Sequence, residues 1–183
     1  PRSTLFPYTT LFRSNLLKSS AGSARVIRLE HPILTNEEFE KLKHLDQPGF
    51  KPTTLSLLFK AADGAEGMEL ALESMCRAAV RFIEAGTTIL LLSDRGVNEE
   101  YAAIPALLAV AGLHHHLILT ATRTHSSLVL ESGEPREVHQ FAALLGHGCT
   151  ALHSYLSFEA TNDLIQQGRH PDLELQLAGQ AFN

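Results

Sequence analysis

The sequence predicts an α/β fold, a parallel sheet or partial barrel of βα units in a three-layer or barrel-like arrangement, and three observations carry that expectation. Apolar runs at Thr88 to Leu92, Ser126 to Leu130 and Thr150 to His153 read as strands covered on both faces. Each run ends in a polar cluster, at Ser93-Asp94-Arg95-Gly96, Glu131-Ser132-Gly133-Glu134 and His153-Ser154-Tyr155, and each is followed by a stretch of helical character. Such alternation builds a parallel sheet through right-handed crossovers. The carboxyl ends of parallel strands share one edge, so the clusters are expected together on the face where ligands or partners are met.

The elements follow in order. His31-Pro32 reads as extended, because a residue before proline is pushed out of the α region. Thr35-Asn36-Glu37-Glu38 is a capping box, so a short helix runs from there to about Leu45 and stops at Gln47-Pro48-Gly49. Thr53 to Phe59 reads as a strand. Met68, Leu72, Met75, Ala79, Phe82 and Ile83 recur at steps of three and four, with Glu69, Glu73, Arg77 and Arg81 on other faces, and Gly86 ends that helix. Pro105 suits the first turn of a helix to about Leu119, and Pro135 that of a helix to Leu145, closed by Gly146 or Gly148. A last helix spans Tyr155 to about Gln167, with Gly168 at its end.

Composition narrows the classes. With 183 residues, 44% of them hydrophobic and 19% charged, the chain suits one folded domain with a sizeable core. A net charge of −5 leaves no excess of Lys and Arg for phosphates, so nucleic acid is not an expected partner. The two cysteines, Cys76 and Cys149, are single and far apart, which argues against a disulfide scaffold, a zinc site or an iron–sulfur cluster and fits a reducing cytoplasm. The longest apolar stretch, Ala102 to Leu113, falls short of the roughly 18 residues of a membrane span and reads as a buried helix. Pro7, Arg13 and Lys18 break the N-terminal pattern that an export signal would need, so a cytoplasmic location is expected, with no membrane contact. Residues 1–14, PRSTLFPYTTLFRS, resemble the translation of a sequencing-adapter remnant, although a floppy or strand-forming tail is the plainer alternative. Residues 1–22 are therefore set apart as an artefactual or disordered segment, Ser19 to Ser23 as a linker, and 23–183 as the domain.

Several patterns invite a chemical reading. His114-His115-His116 lie on a helix, where consecutive side chains point about 100° apart, so they do not converge on one metal; satisfied or interface histidines near the helix end are the alternative. Asp94-Arg95-Gly96 could bring a carboxylate and a guanidinium to a ligand, or Asp94 could cap or pair while Gly96 allows a turn. Glu131 and Glu134 could share acid–base work, or Ser132 and Glu134 could be caps. G-x-S-x-G, G-x-G-x-x-G and G-x-x-x-x-G-K-[ST] are absent, and Cys149, between two glycine-containing turns, could be reactive, although a small buried residue entering a strand is the commoner case.

The successive segments HPILTNEEFEKLK, GMELALESMCRAAVRFIEAGTTILLLSDRG, AIPALLAVAGLHHHLI and SLVLESGEPREVHQFAALLGHGCTALHSYLSFE resemble the central domain of the glutamate synthase large subunit. The likeness covers about residues 26–168, and ESGEPREVHQFA is more similar to the bacterial pyridine-nucleotide-dependent form than to the ferredoxin-dependent one. The chain departs from the family at His153-Ser154-Tyr155-Leu156-Ser157, where N-P-Y-L-A is usual, and at Gly146-His147-Gly148-Cys149, where G-Y-G-A is usual. The resemblance implies part of an ammonia-channelling flavoenzyme that turns glutamine, 2-oxoglutarate and reductant into two glutamates. In that family an amidotransferase domain hydrolyses glutamine and an FMN barrel consumes the ammonia. An iron–sulfur cluster lies outside this segment, and a small reductase subunit is a further possible partner. The central domain, with no catalytic, cofactor or metal residue of its own, joins the two and helps wall the ammonia route. Ser93, Asp94, Arg95, Gly96, His114, His115, His116, Glu131, Ser132, Gly133, Glu134 and His139 are then the candidate interdomain or tunnel contacts. Two other readings are a stand-alone α/β enzyme using Asp94, Glu131 and His139 in a shared pocket, and a binding module acting through its polar edge.

Overall fold

The structure is a computed structural model that describes residues 9–11 and 27–167. Its centre is a four-stranded parallel sheet of β3 (Pro52–Ser56), β5 (Ile89–Ser93), β7 (Ser127–Glu131) and β8 (Ala151–His153), in the order β3-β5-β7-β8. The sheet is open, which decides between the sheet and the partial barrel. Three helices make the crossovers: α2 (Gly64–Glu84), α3 (Ala106–Leu119) and α4 (Val138–Gly146). Consecutive strands added in one direction with crossovers of one hand put all three helices on the same face. The opposite face is covered by α1 (Asn36–Lys43), which precedes the sheet, and α5 (Tyr155–Gln166), which follows it.

The apolar runs explain this layering. Every residue of β5, β7 and β8 is buried. Leu90, Leu92, Leu128, Leu130 and Leu152 face α2, α3 and α4, where they meet Met75, Ala79, Ile83, Val110, Leu113, Leu117, Phe141 and Leu144. Their neighbours Ile89, Leu91, Val129 and Ala151 face the other way, toward Leu34, Phe39 and Leu42. A strand with period-two side chains is apolar throughout only when both faces are covered. Each buried leucine contributes about 2 kcal/mol of transfer free energy to that arrangement.

The helix signals act where the sequence places them. The Thr35 hydroxyl accepts from the Glu38 amide at 3.3 Å and the Glu38 carboxylate accepts from the Thr35 amide at 2.9 Å, closing the capping box of α1. The extended segment at Pro32 covers the outer edge of β8: the Leu152 amide donates to Pro32 and the Leu34 amide to Leu152, both at 2.8 Å.

Three expectations change. The strand expected from Thr53 to Phe59 divides into β3 and β4 (Leu58–Lys60), because Leu57 turns the chain out of the sheet. The Ser56 hydroxyl accepts from the Leu58 amide at 3.2 Å, and the Leu57 carbonyl accepts from Ile104 at 2.8 Å. The apolar stretch from Ala102 is helical only from Ala106, since β6 (Tyr101–Ala103) pairs antiparallel with β4. Pro135 does not begin α4. Its carbonyl accepts from Ser154 and Ser157, at 2.5 and 3.0 Å, and the helix starts three residues on, where Gln140 accepts from the Glu137 amide at 3.1 Å.

Thr9–Leu11 (β1), inside the segment set apart as 1–22, pairs antiparallel with Ile27–Leu29 (β2). The rest of that segment, the linker at Ser19 to Ser23 and the stop at Gly168 lie outside the described residues.

Candidate functional site at the carboxyl edge

Register brings the strand ends together. Ser56 pairs with Ser93, Ser93 with Glu131, and Glu131 with His153, so four polar residues form one row along the carboxyl edge. Ser93, Glu131 and His153 are buried. Burial of a carboxylate is costly unless its oxygens are satisfied, and both of Glu131's are. The Ser93 hydroxyl donates to Oε2 at 2.6 Å and the Arg95 Nε donates to Oε1 at 2.5 Å. Arg95 is half-exposed; its guanidinium lies 4.0 Å over the Tyr155 ring and 3.6 Å from Glu159.

Asp94 is buried and points away from Arg95, into the next loop. It accepts from the Ser132 hydroxyl at 2.6 Å and the Gly133 amide at 3.1 Å. The Tyr155 hydroxyl also bonds Asp94, and burial first and that carboxylate second push the phenol up to about 12. Tyr155 thus keeps its proton and donates it. Gly96 takes φ +103°, the left-handed region that frees the loop after β5 to turn. Glu134 caps a helix at a distance, accepting from the first amide of α3, at Ala106, over 2.6 Å.

His153 stacks between Phe39 at 4.9 Å and Phe158 at 5.8 Å and bonds the Leu34 carbonyl at 2.9 Å through Nδ1. Burial lowers its proton affinity. A neutral imidazole with its proton on Nδ1 fits both contacts.

The structure therefore gathers Ser93, Asp94, Arg95, Glu131, Ser132 and Gly133, and adds Tyr155 and Glu159, which the sequence reading left out of the candidate set. It leaves His139 apart. That side chain is exposed, 3.3 Å from Glu137, and lines a groove of about 170 Å³ between α3 and α4 that Asp94 and Glu131 do not border. His114, His115 and His116 lie on α3 away from this edge, and the His114 and His115 rings meet edge-on at 5.5 Å. The stand-alone enzyme needs Asp94, Glu131 and His139 around one cavity; here the two carboxylates instead bond inward and fasten β5, β7 and α5 together.

The family model described as the glutamate synthase central domain matches residues 9–182. The chain belongs to the glutamate synthase central domain family. It is 41% identical over 155 residues to the glutamate synthase [NADPH] large chain of Bacillus subtilis, covering 85% of this chain and 10% of that one. It is 37% identical over 155 residues to the glutamate synthase [NADH] of Schizosaccharomyces pombe, covering 84% of this chain and 7% of that protein. Against the ferredoxin-dependent glutamate synthase 2 of Synechocystis the identity is 34% over 179 residues, 91% of this chain and 11% of the relative. The central domain thus spans about a tenth of the length of these relatives.

The two departures from the family pattern flank β8, at the turn before it and at its carboxyl end. His153 supplies the middle ring of the Phe39–His153–Phe158 stack, and Ser154 ties α5 to Pro135. Cys149 is buried, its thiol 2.9 Å from the Ala151 carbonyl, and burial pushes its pKa to about 12. The carboxyl edge does not supply the usual ligands of the flavin or the iron–sulfur cluster implied for the larger enzyme. A cluster needs several thiolates, whereas both cysteines of the central domain are buried and protonation is favoured at each. A flavin phosphate seeks free amides at a helix start, whereas the first amide of α3 is taken by Glu134 and the sheet edge carries buried Asp94 and Glu131.

Proposed function

We propose that this chain is the non-catalytic central domain of a glutamate synthase large chain, an oxidoreductase converting glutamine, 2-oxoglutarate and reductant into two glutamates. The domain links a glutaminase domain to an FMN-bearing synthase domain and helps wall the route of ammonia between them. The observation that carries this reading is the family match over residues 9–182 within relatives about ten times longer. The geometry supports it: the carboxyl edge is spent on holding its own strands and helices, as a rigid spacer requires. Ammonia is conserved only if two sites keep a fixed relation and water is excluded, and packed βα units hold position better than loops. Ser93, Asp94, Glu131, Ser132 and Gly133 act from beneath, and the exposed Arg95, Gly96, Glu134, His139 and His115 are the groups that reach other domains.

FMN and the iron–sulfur cluster belong to other parts of the polypeptide, a small reductase subunit is a further partner, and the location is cytoplasmic. Among the described residues no helix is long and apolar enough to cross a membrane.

The test has two arms. The purified 183-residue chain is assayed for glutamine hydrolysis and for FMN binding, and the reading frame is followed outward in the source DNA. The expected result is a folded, inactive domain whose frame continues into an amidotransferase on one side and a flavin barrel on the other. Glutamine hydrolysis or tight FMN binding by the 183 residues alone would overturn the assignment.

A further inference from the structure

The opposite, amino-terminal edge of the sheet has a different chemistry. In a chain of net charge −5, residues 101–130 contain no Asp or Glu, yet they carry Arg123, His114, His115, His116 and His125. Arg123 lies in the turn between α3 and β7 and is half-buried. Its Nε donates to His114 Nδ1 at 2.9 Å, Nη1 to the Ser126 carbonyl at 2.8 Å and Nη2 to the Gly148 carbonyl at 2.8 Å. All three acceptors are neutral. Among the described residues Arg123 forms no ion pair, whereas Arg95 and Arg77 each have a carboxylate.

A guanidinium has five N–H donors, so one remains on each terminal nitrogen. The C-terminal ends of α3 and α4 lie nearby and offset part of the charge, about 0.3–1 kcal/mol for a helix terminus. A charge-assisted bond to a carboxylate is worth about 1.5–3 kcal/mol and matches the fork in shape. The dipoles alone therefore leave the guanidinium under-compensated. Beside it the buried Ser126 hydroxyl has no hydrogen-bond partner. His115 and His147 stand close enough to hold down the proton affinity of His114, after the larger effect of burial and that of Arg123. At the end of α3, Leu119 is 86% exposed and Ile118 is 50% exposed. A cationic, carboxylate-free face with a projecting leucine suits an acidic protein surface that has an apolar recess.

We propose that this face, formed by the C-terminal half of α3, the turn through Arg123 and the turn at Gly146 to Gly148, docks against a carboxylate-bearing apolar surface elsewhere in the same large chain. The inference rests on the central-domain reading, and its occupant follows from two facts: the charge of the face, and a chain covering only about a tenth of its relatives' length. The Arg123 fork receives the carboxylate and Leu119 enters the apolar recess.

The experiment compares the 183-residue chain with the full large chain that contains it. Both are treated with diethyl pyrocarbonate, and acylation of His115, His125 and His147 is followed residue by residue by mass spectrometry. The expected result is labelling about tenfold slower in the full chain, as for groups that react only in a transiently opened state. Leu119→Asp in the full chain restores the faster rate; this side chain is exposed, so the substitution leaves the fold intact, unlike Arg123→Gln, which also loosens the turns at Ser126 and Gly148. Equal labelling in a full chain that still makes glutamate sinks the docking face and leaves the central-domain reading standing. Unchanged protection in the Leu119→Asp chain also sinks it, as does protection that grows with concentration in the 183-residue chain, which would make a second copy the occupant. A reading frame that continues into neither an amidotransferase nor a flavin barrel removes the central-domain reading itself.

Discussion

Replacing Arg95 by glutamine tests whether the carboxyl edge is held by charge or by shape. Glu131 is 3% exposed at its side chain and Arg95 is 46% exposed, so the two partners of one ion pair differ sharply in access to water. Arg95→Gln leaves a buried carboxylate with only the Ser93 hydroxyl in support. Breaking a fully buried pair in this sense costs about 3–5 kcal/mol, and the half-exposed guanidinium discounts that to about 2–3 kcal/mol. Glu131→Gln is the milder change. It releases an arginine that can turn to water, and the amide oxygen still accepts from Ser93, so the loss is about 1 kcal/mol. The double variant removes the stranded charge and should be more stable than Arg95→Gln alone. Urea titration of the 183-residue chain, followed by circular dichroism, ranks the three; a loss of 2–3 kcal/mol corresponds to a Tm lower by about 4–12 °C. If Glu131→Gln proves as costly as Arg95→Gln, or the two losses add, then the pair is not stabilising Glu131 and the account of the edge is wrong.

Burial lowers the pKa of His153 in the folded state below the unfolded value of about 6.5, so the unfolded chain binds the proton more readily. Stability present above about pH 6.5 therefore declines as the pH falls, and His153→Phe, which keeps the ring stack, should flatten much of the decline in urea midpoints between about pH 7 and pH 5. A Cβ on Gly133 would stand 3.0 Å from the Tyr155 ring and closer still to Leu156, so Gly133→Ala should cost about 1–3 kcal/mol. Adding Leu156→Ala should recover part of that loss; no recovery in thermal melts would mean that Tyr155, and not Leu156, carries the clash. Cys76 and Cys149 are buried with raised pKa values, so a chromogenic disulfide reagent should label neither in the native chain and both at the rate of unfolding. Fast labelling of Cys149 without denaturant would contradict its place against the sheet.

Local chemistry made much of this architecture legible. The Thr35 box, the periodicity from Met68 to Ile83 and the apolar strands each act within a few residues, and each appears where the sequence puts it. The strand-end clusters were legible as a group because parallel strands must align their carboxyl ends. Their use was not. Asp94 pairs with Ser132 and Gly133, while Arg95 crosses to Glu131, and all three partners are more than thirty positions away along the chain. Arg123 was missed as well, although the absence of any acid from residues 101–130 was a visible signal.

The family, the α/β class and the order of its helices and buried strands were determined by the sequence alone, since periodicity, capping and covered apolar runs are properties of neighbouring residues. Tertiary structure decided where β3 breaks, that Tyr101–Ala103 turns back on β4, and that Pro135 stays outside α4. It also decided which polar groups face inward. Those outcomes depend on hydrogen bonds between distant segments, and a carboxylate such as Glu131 finds its donors only after the strands have come into register.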